Sequence, residues 1–116
     1  MRFKTGDVIA DRPSWWLYGT DNRLVAWAGD MFASLEEAEH AAEDFRYGAS
    51  RARFELYRDR TSAWRWRAMV GERKIASSSE TYLNELAARR AAKNVRDNVV
   101  HASPVCGRPA LRRTAD

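Results

Sequence analysis

"FELYRDRTSAWRWRAMVGERKIASSSETY", residues 54–82, alternates apolar and polar side chains and breaks twice at polar turns. Phe54 and Leu56 share one side and Glu55 and Tyr57 the other, the pattern of a half-buried strand. "RDRTSA" then turns the chain. In the next strand Trp64, Trp66, Ala68 and Val70 fall on one face, and Arg65, Arg67 and Met69 on the other, because successive side chains point to opposite sides. "GER" turns the chain again, into "KIASS". The expectation is that the indoles lie beneath the sheet and the guanidiniums stay in water.

A helix follows these three strands. Asn84 suits an N-cap, and "ELAARRAAKNVRDNVV" is rich in alanine and straight-chain residues that favour helix. Ala87, Ala91, Val95 and Val99 form its apolar stripe, widened by Ala88 and Ala92. The same order is echoed upstream. Residues 24–46 lie over 74–96 without a gap at an offset of 50. Val25 falls on Ile75, Ala26 on Ala76, Asp30 on Glu80, Phe32 on Tyr82, and Ala38, Ala41 and Ala42 on Ala88, Ala91 and Ala92. Extended upstream, the offset sets Trp16 on Trp66, which predicts Trp16 inside and Trp15 outside. Ser34 and Glu37 have capping-box spacing. Leu35, Ala38, Ala41, Ala42 and Phe45 form an inward face, and Gly48 suits a C′ stop.

These readings define an α+β fold of two pseudosymmetric β-β-β-α repeats, with two helices packed on one face of an antiparallel sheet. Residues 1–50 make a degenerate first repeat and residues 51–101 the second. Residues 102–116, with two prolines and no periodicity, are expected to be a flexible tail of one compact domain. A lone unit of this size buries only about 60% of its unfolded surface, so two units must share a core. The path of the first strand of repeat one stays open.

"FELYRDRTSAWRWR", "GERKIASSSETY" and "AARRAAKNVR", in that order, resemble the YegP-like family of small prokaryotic proteins without an established biochemical role. The resemblance implies tandem or dimerised β-β-β-α units on an antiparallel sheet. The family usually carries glycine where this chain has Ser62 and Ser79. The first half lacks the F-E-L-Y and W-R-W-R strings. No catalytic residue follows from the resemblance.

Composition narrows the function. The 116 residues are 45% hydrophobic and 31% charged, with five tryptophans. No apolar run approaches the roughly 20 residues that span a bilayer, and Asp7 and Asp11 interrupt what would be a signal core, so a cytoplasmic location is expected. Residues 1–50 hold five Lys/Arg against nine Asp/Glu, and residues 51–116 hold fifteen against seven, so charges of −4 and +8 sum to the net +4. The opposite charges of the two helices would permit a salt-bridged seam or electrostatic self-association. His40 and His101 lie far apart, and Cys106 stands in a Pro/Gly/Arg tail as an exposed, incidental thiol. Metal spacing, a nucleophile elbow and phosphate-binding glycine loops are all absent from the sequence, so no cofactor, metal or catalytic residue is expected. Asp30 and Glu80 are matched by the offset, and turn or cap hydrogen bonding is their expected role.

The expected activity is therefore non-enzymatic binding through an Arg/Trp-bearing sheet face, to a protein partner or a second copy. Trp15, Tyr57, Arg58, Arg60, Arg65 and Arg67 are the candidate contact residues, since aromatic and arginine side chains dominate interface energetics. The competing expectation is weak, salt-dependent nucleic-acid binding through the basic second half, which needs cations and aromatics on one exposed face. Alternation within residues 64–67 separates those two ingredients.

Overall fold

The strand that carries the alternation pairs as its pattern requires. The computed structural model describes residues 1–9 and 12–103. In it β4 (Arg53–Arg58) runs antiparallel to β5 (Trp64–Val70), with Leu56 opposite Trp66 and Tyr57 opposite Arg65. Asp59 builds the turn between them. Its carboxylate accepts from the Thr61 N–H at 2.8 Å, the Thr61 hydroxyl at 2.6 Å and the Ala63 N–H at 3.1 Å. Ser62 takes φ 68°, a left-handed conformation that glycine adopts without strain. Gly71, at φ 62°, then turns β5 into β6 (Arg73–Ser78). α2 (Glu85–Asn98) begins at Asn84, whose side chain accepts from the Ala87 N–H at 2.8 Å.

The first half has the same element order. β1 (Arg2–Ile9), β2 (Arg12–Tyr18) and β3 (Leu24–Trp27) precede α1 (Leu35–Gly48), which Ser34 caps by accepting from the Glu37 N–H at 3.1 Å. The six strands form one sheet in the order β1-β2-β3-β6-β5-β4, antiparallel throughout. The halves meet at β3 and β6, where Ala26 faces Ser78 and Trp27 faces Ser77. The Ser79 hydroxyl fastens this seam by donating to the Leu24 carbonyl at 2.9 Å. Ser78 is fully buried; its hydroxyl accepts from the Trp66 N–H at 3.3 Å and donates to the Glu80 carbonyl at 3.1 Å.

Both helices cover the same face. The core joins Phe3, Trp15, Leu17 and Ala26 of the first strands to Trp66, Ala68 and Ala76 of the second set, under Phe45 of α1 and Val95 of α2. Small residues set the spacing: Ala38 and Ala42, like Ala88 and Ala92, are buried where the helices lie closest to the strands. The stripe of α2 centres on Ala88, Ala92, Val95 and Val99, with Ala87 and Ala91 half-buried at its margin. The expected stripe is thus turned by about one residue. Leu35, read as inward, is 39% exposed because the first turn of α1 projects beyond the sheet contact. Gly48 is not a left-handed stop. It has φ −97° and passes α1 directly into a short 3-10 turn, Ala49–Arg51.

The position of Trp15 corrects the reading of β2. Trp15 is fully buried, and Trp16 points to the other side. Nine positions separate the facing residues Leu17 and Ala26, whereas eight separate Ala68 and Ala76. The longer β2–β3 connection therefore adds one residue. With that extra residue, Trp15 and not Trp16 lies on the helix side, as Trp66 does. A one-residue slip moves every side chain of a strand to the opposite face. Trp15 stacks on Phe45 at 5.3 Å between centroids and meets Phe3 edge-on at 5.4 Å.

At the C-terminal side, Ala102 is buried and Ser103 bridges β1, donating to the Met1 carbonyl at 3.0 Å. These two residues belong to the fold. The rest of the expected tail, with Cys106, lies outside the described residues. No helix of the described residues is long and apolar enough to cross a membrane.

Candidate functional site on the open face of the sheet

The face turned away from the helices carries a row of side chains that crosses all six strands. Directly facing partners in an antiparallel ladder project to the same side. Lys4 faces Trp16, Trp16 faces Trp27, Trp27 faces Ser77, Ser77 faces Arg67, and Arg67 faces Glu55. Trp16 and Trp27 thus sit side by side near the middle of the sheet, both partly exposed, with buried Ser77 beside them. The small serine leaves a shallow step between the indoles and the arginines.

Arginines are held in place at both ends of this face. The Arg67 guanidinium lies over the Tyr57 ring at 5.0 Å and donates to Glu55 at 2.9 Å. Glu55 also accepts from Arg53 at 2.8 Å. Arg65 donates to Asp59 at 2.8 Å, and at the far edge Arg2 lies over Tyr18 at 4.8 Å. The pairings hold both carboxylates below their usual range. For Glu55 the hydrogen bond from Arg53 leads, followed by that from Arg67. For Asp59 the Thr61 hydroxyl leads, followed by Arg65. Both stay ionised well into acid, so the guanidiniums keep their geometry over a wide pH range.

The six candidate residues separate. Tyr57, Arg65 and Arg67 come together on the open face. Trp15 is in the core, for the register reason given above. Arg58 faces Trp64 on the helix side of the sheet, with its guanidinium 5.3 Å from the Trp64 ring centroid. Arg60 is exposed in the β4–β5 turn, away from the strand face. The alternation in β5 holds from Trp64 to Ala68: Trp66 is fully buried, Trp64 is half-buried at the sheet end, and Arg65 and Arg67 are outside. Val70, read as inward, is 49% exposed past the irregularity between Ala68 and Met69. Alternation does not keep aromatics off the open face, because β2 and β3 supply Trp16 and Trp27. The sequence signal for these two was the loop length between β2 and β3.

Asp30 keeps the expected turn role, whereas Glu80 forms an ion pair that ties the second half to the first. Glu80 binds Arg23 through both oxygens, at 2.6 and 3.1 Å, and Asp30 accepts from the Met31 N–H at 2.9 Å. Burial, ahead of the Glu80 charge, pushes the Tyr82 phenol up. The helix ion pairs run within each helix, Arg46 to Glu43, Arg89 to Glu85 and Lys93 to Asp97, in place of the expected seam between helices. Among the described residues, no group of three or more His, Cys, Asp or Glu side chains is placed to hold a metal.

This architecture defines a class: a six-stranded antiparallel sheet, helices on one side and an open aromatic face on the other. Two solved structures share the overall fold, the sheet with its two helices. One is a UPF0339 protein from Shewanella oneidensis, with a TM-score of 0.74 at 12% identity over 90% of this chain and 87% of that one. The other is the protein of unknown function yegP from E. coli, with a TM-score of 0.74 at 14% identity over 90% of this chain and 89% of that one. At such identity the likeness is one of fold. No protein-family model matches the chain, and no curated protein does either.

Proposed function

We propose that this protein is a non-enzymatic binding module of the YegP/UPF0339 kind, built as a tandem of two β-β-β-α units, whose open sheet face engages a protein surface. The observation that carries the reading is the row Lys4–Trp16–Trp27–Ser77–Arg67–Glu55, flanked by Tyr57, Arg65 and Met69. Adjacent indoles offer a large apolar contact at low entropic cost, and arginines fixed by ion pairs are ready to form directional hydrogen bonds. The equal lengths of α1 and α2, 14 residues each at an offset of 50, support the tandem. The three sequence motifs and the fold likeness support the family.

A second reading has its own observation. The indoles of β2 and β3 share their face with Arg2, Lys4, Arg65 and Arg67, a combination that single-stranded nucleic acids exploit. Glu55 and Asp59 occupy two of those arginines and repel phosphate, which favours the protein reading.

Photo-crosslinking tests both. A photoreactive residue at Met69, on the open face, is expected to give defined crosslinked protein species that disappear with Trp27→Ala. One at Glu36, on α1, should give none. Uncrosslinked monomer from both positions contradicts the proposal. Oligonucleotide binding at low salt that collapses at high salt would favour the second reading.

A further inference from the structure

The sheet ends on β4, and among the described residues no strand pairs with its outer edge. The opposite edge is partly closed by Ser103 against β1. Asp59 and Ala63 face each other across the turn with the Asp59 N–H bonded to the Ala63 carbonyl at 2.9 Å. Antiparallel ladders alternate bonded and non-bonded pairs. Tyr57, Glu55 and Arg53 therefore aim their backbone groups at β5, and Phe54, Leu56 and Arg58 aim theirs at solvent. The Trp64 N–H agrees: it turns away from Arg58 and donates to the Tyr82 carbonyl at 2.9 Å.

The side chains of Phe54 and Leu56 point to the helix side, where they floor a groove of about 220 Å³ between β4 and α2. Its far wall is Arg89, Ala92, Lys93 and Arg96. The three cations share only Glu85 and Asp97, in pairs whose side chains are 42–66% exposed. Pairs so exposed contribute little and exchange readily for another carboxylate. Arg58, on the helix side, adds a cation at one end of the strand.

We infer that the β4 edge with the α2 groove receives an extended acidic peptide segment of a partner protein, which adds as a seventh strand. Its backbone pairs with the outward N–H and C=O groups of Phe54 and Leu56. Every second side chain then enters the groove, where carboxylates meet Arg89, Lys93 and Arg96. Strand addition of this kind draws affinity from the main chain and selectivity from alternate side chains. Charge complementarity selects the occupant. A second copy joined edge to edge would bring two cationic α2 helices to one seam. A nucleic acid lacks the evenly spaced amide groups that an edge strand recognises.

The probe is a short acetylated peptide alternating Glu and Val, with a Lys/Val peptide as control. Binding is read by fluorescence anisotropy, and amide exchange locates it. The expected result is saturable binding of the Glu/Val peptide alone, weakened by salt, with new protection at the Phe54 and Leu56 amides. Lys93→Glu with Arg96→Glu, both on exposed helix positions, should weaken it about tenfold or more. Trp27→Ala should leave it unchanged, which separates this edge from the open face. Leu56→Pro, which removes one outward N–H, should abolish the new protection. Should that variant fail to fold, the charge-reversal pair stands alone. No binding up to about 1 mM peptide overturns the inference. So does binding indifferent to the charge reversal, displacement by an oligonucleotide at equal concentration, or protection of both amides in the free monomer.

Discussion

Replacing each of two adjacent tryptophans by alanine should produce unequal losses of stability. Trp15 is fully buried between Phe3 and Phe45, in an edge contact and a stack. An indole contributes about 200 Å² of contact, which at about 25 cal/mol per Å² amounts to about 5 kcal/mol. Buried Trp→Ala changes cost about 3–5 kcal/mol when measured. Two effects act in opposite directions. The cavity between two aromatics cannot close easily, which raises the cost. The Trp15 indole N–H has no acceptor among the described residues, so its removal relieves a buried donor and lowers the cost. An expected loss of about 4 kcal/mol is a large part of the 5–15 kcal/mol that domains possess. Trp16 is only partly exposed on the open face and its removal leaves no enclosed cavity, so Trp16→Ala should cost about 2 kcal/mol. Urea denaturation of the two variants reads both values at unchanged slope. At about 4 °C per kcal/mol, melting should fall by about 16 °C for the first and about 8 °C for the second. Equal losses, or the larger loss at Trp16, would refute the register derived for β2.

Other positions make separate tests. Ser62 holds a left-handed φ of 68°, so Ser62→Gly should gain up to about 1 kcal/mol in urea denaturation, and a loss would mean the hydroxyl has a role in the turn. Ser78→Ala should cost about 1–3 kcal/mol, because it leaves the buried Trp66 N–H without its acceptor. Glu55 and Asp59 have folded-state values below their unfolded ones. Their stabilisation is therefore complete above about pH 4.5 and is lost as pH falls through the folded values. Melting temperature should drop steadily from pH 5 to about pH 2, and Glu55→Gln with Asp59→Asn should flatten that slope. An unchanged slope would show that the ion pairs on the open face do not form in solution.

The second half is legible in its sequence because its turns are short and its alternation runs unbroken from Phe54 to Ala68, before the irregularity at Met69. Trp64 to Val70 shows one face apolar and one basic, so side-chain direction follows from position alone. The helices are legible through their caps, since Ser34 and Asn84 each accept from the N–H three residues on. β2 behaves differently. "PSWWLYG" has two bulky neighbours and no period, and the extra residue before β3 decides which one is buried. The irregularity between Leu17 and Tyr18 leaves no trace in composition. Joining the two indoles to the arginines on the open face needs the β3–β6 pairing, where Trp27 faces Ser77 from 50 positions away, and local pattern does not encode it. Arg58 is misplaced by local reading for a similar reason. It shares the period of Phe54 and Leu56 and therefore goes to the helix side, whatever its charge.

The placement of five indoles decides the account. Their ring resonances can be followed in labelled protein while a soluble paramagnetic agent is added. Trp16, Trp27 and Trp64 should broaden first, and Trp15 and Trp66 should persist to the highest concentration. Early loss of Trp15 with survival of Trp16 would place the wrong side of β2 outward, and the open-face site would have no aromatic centre.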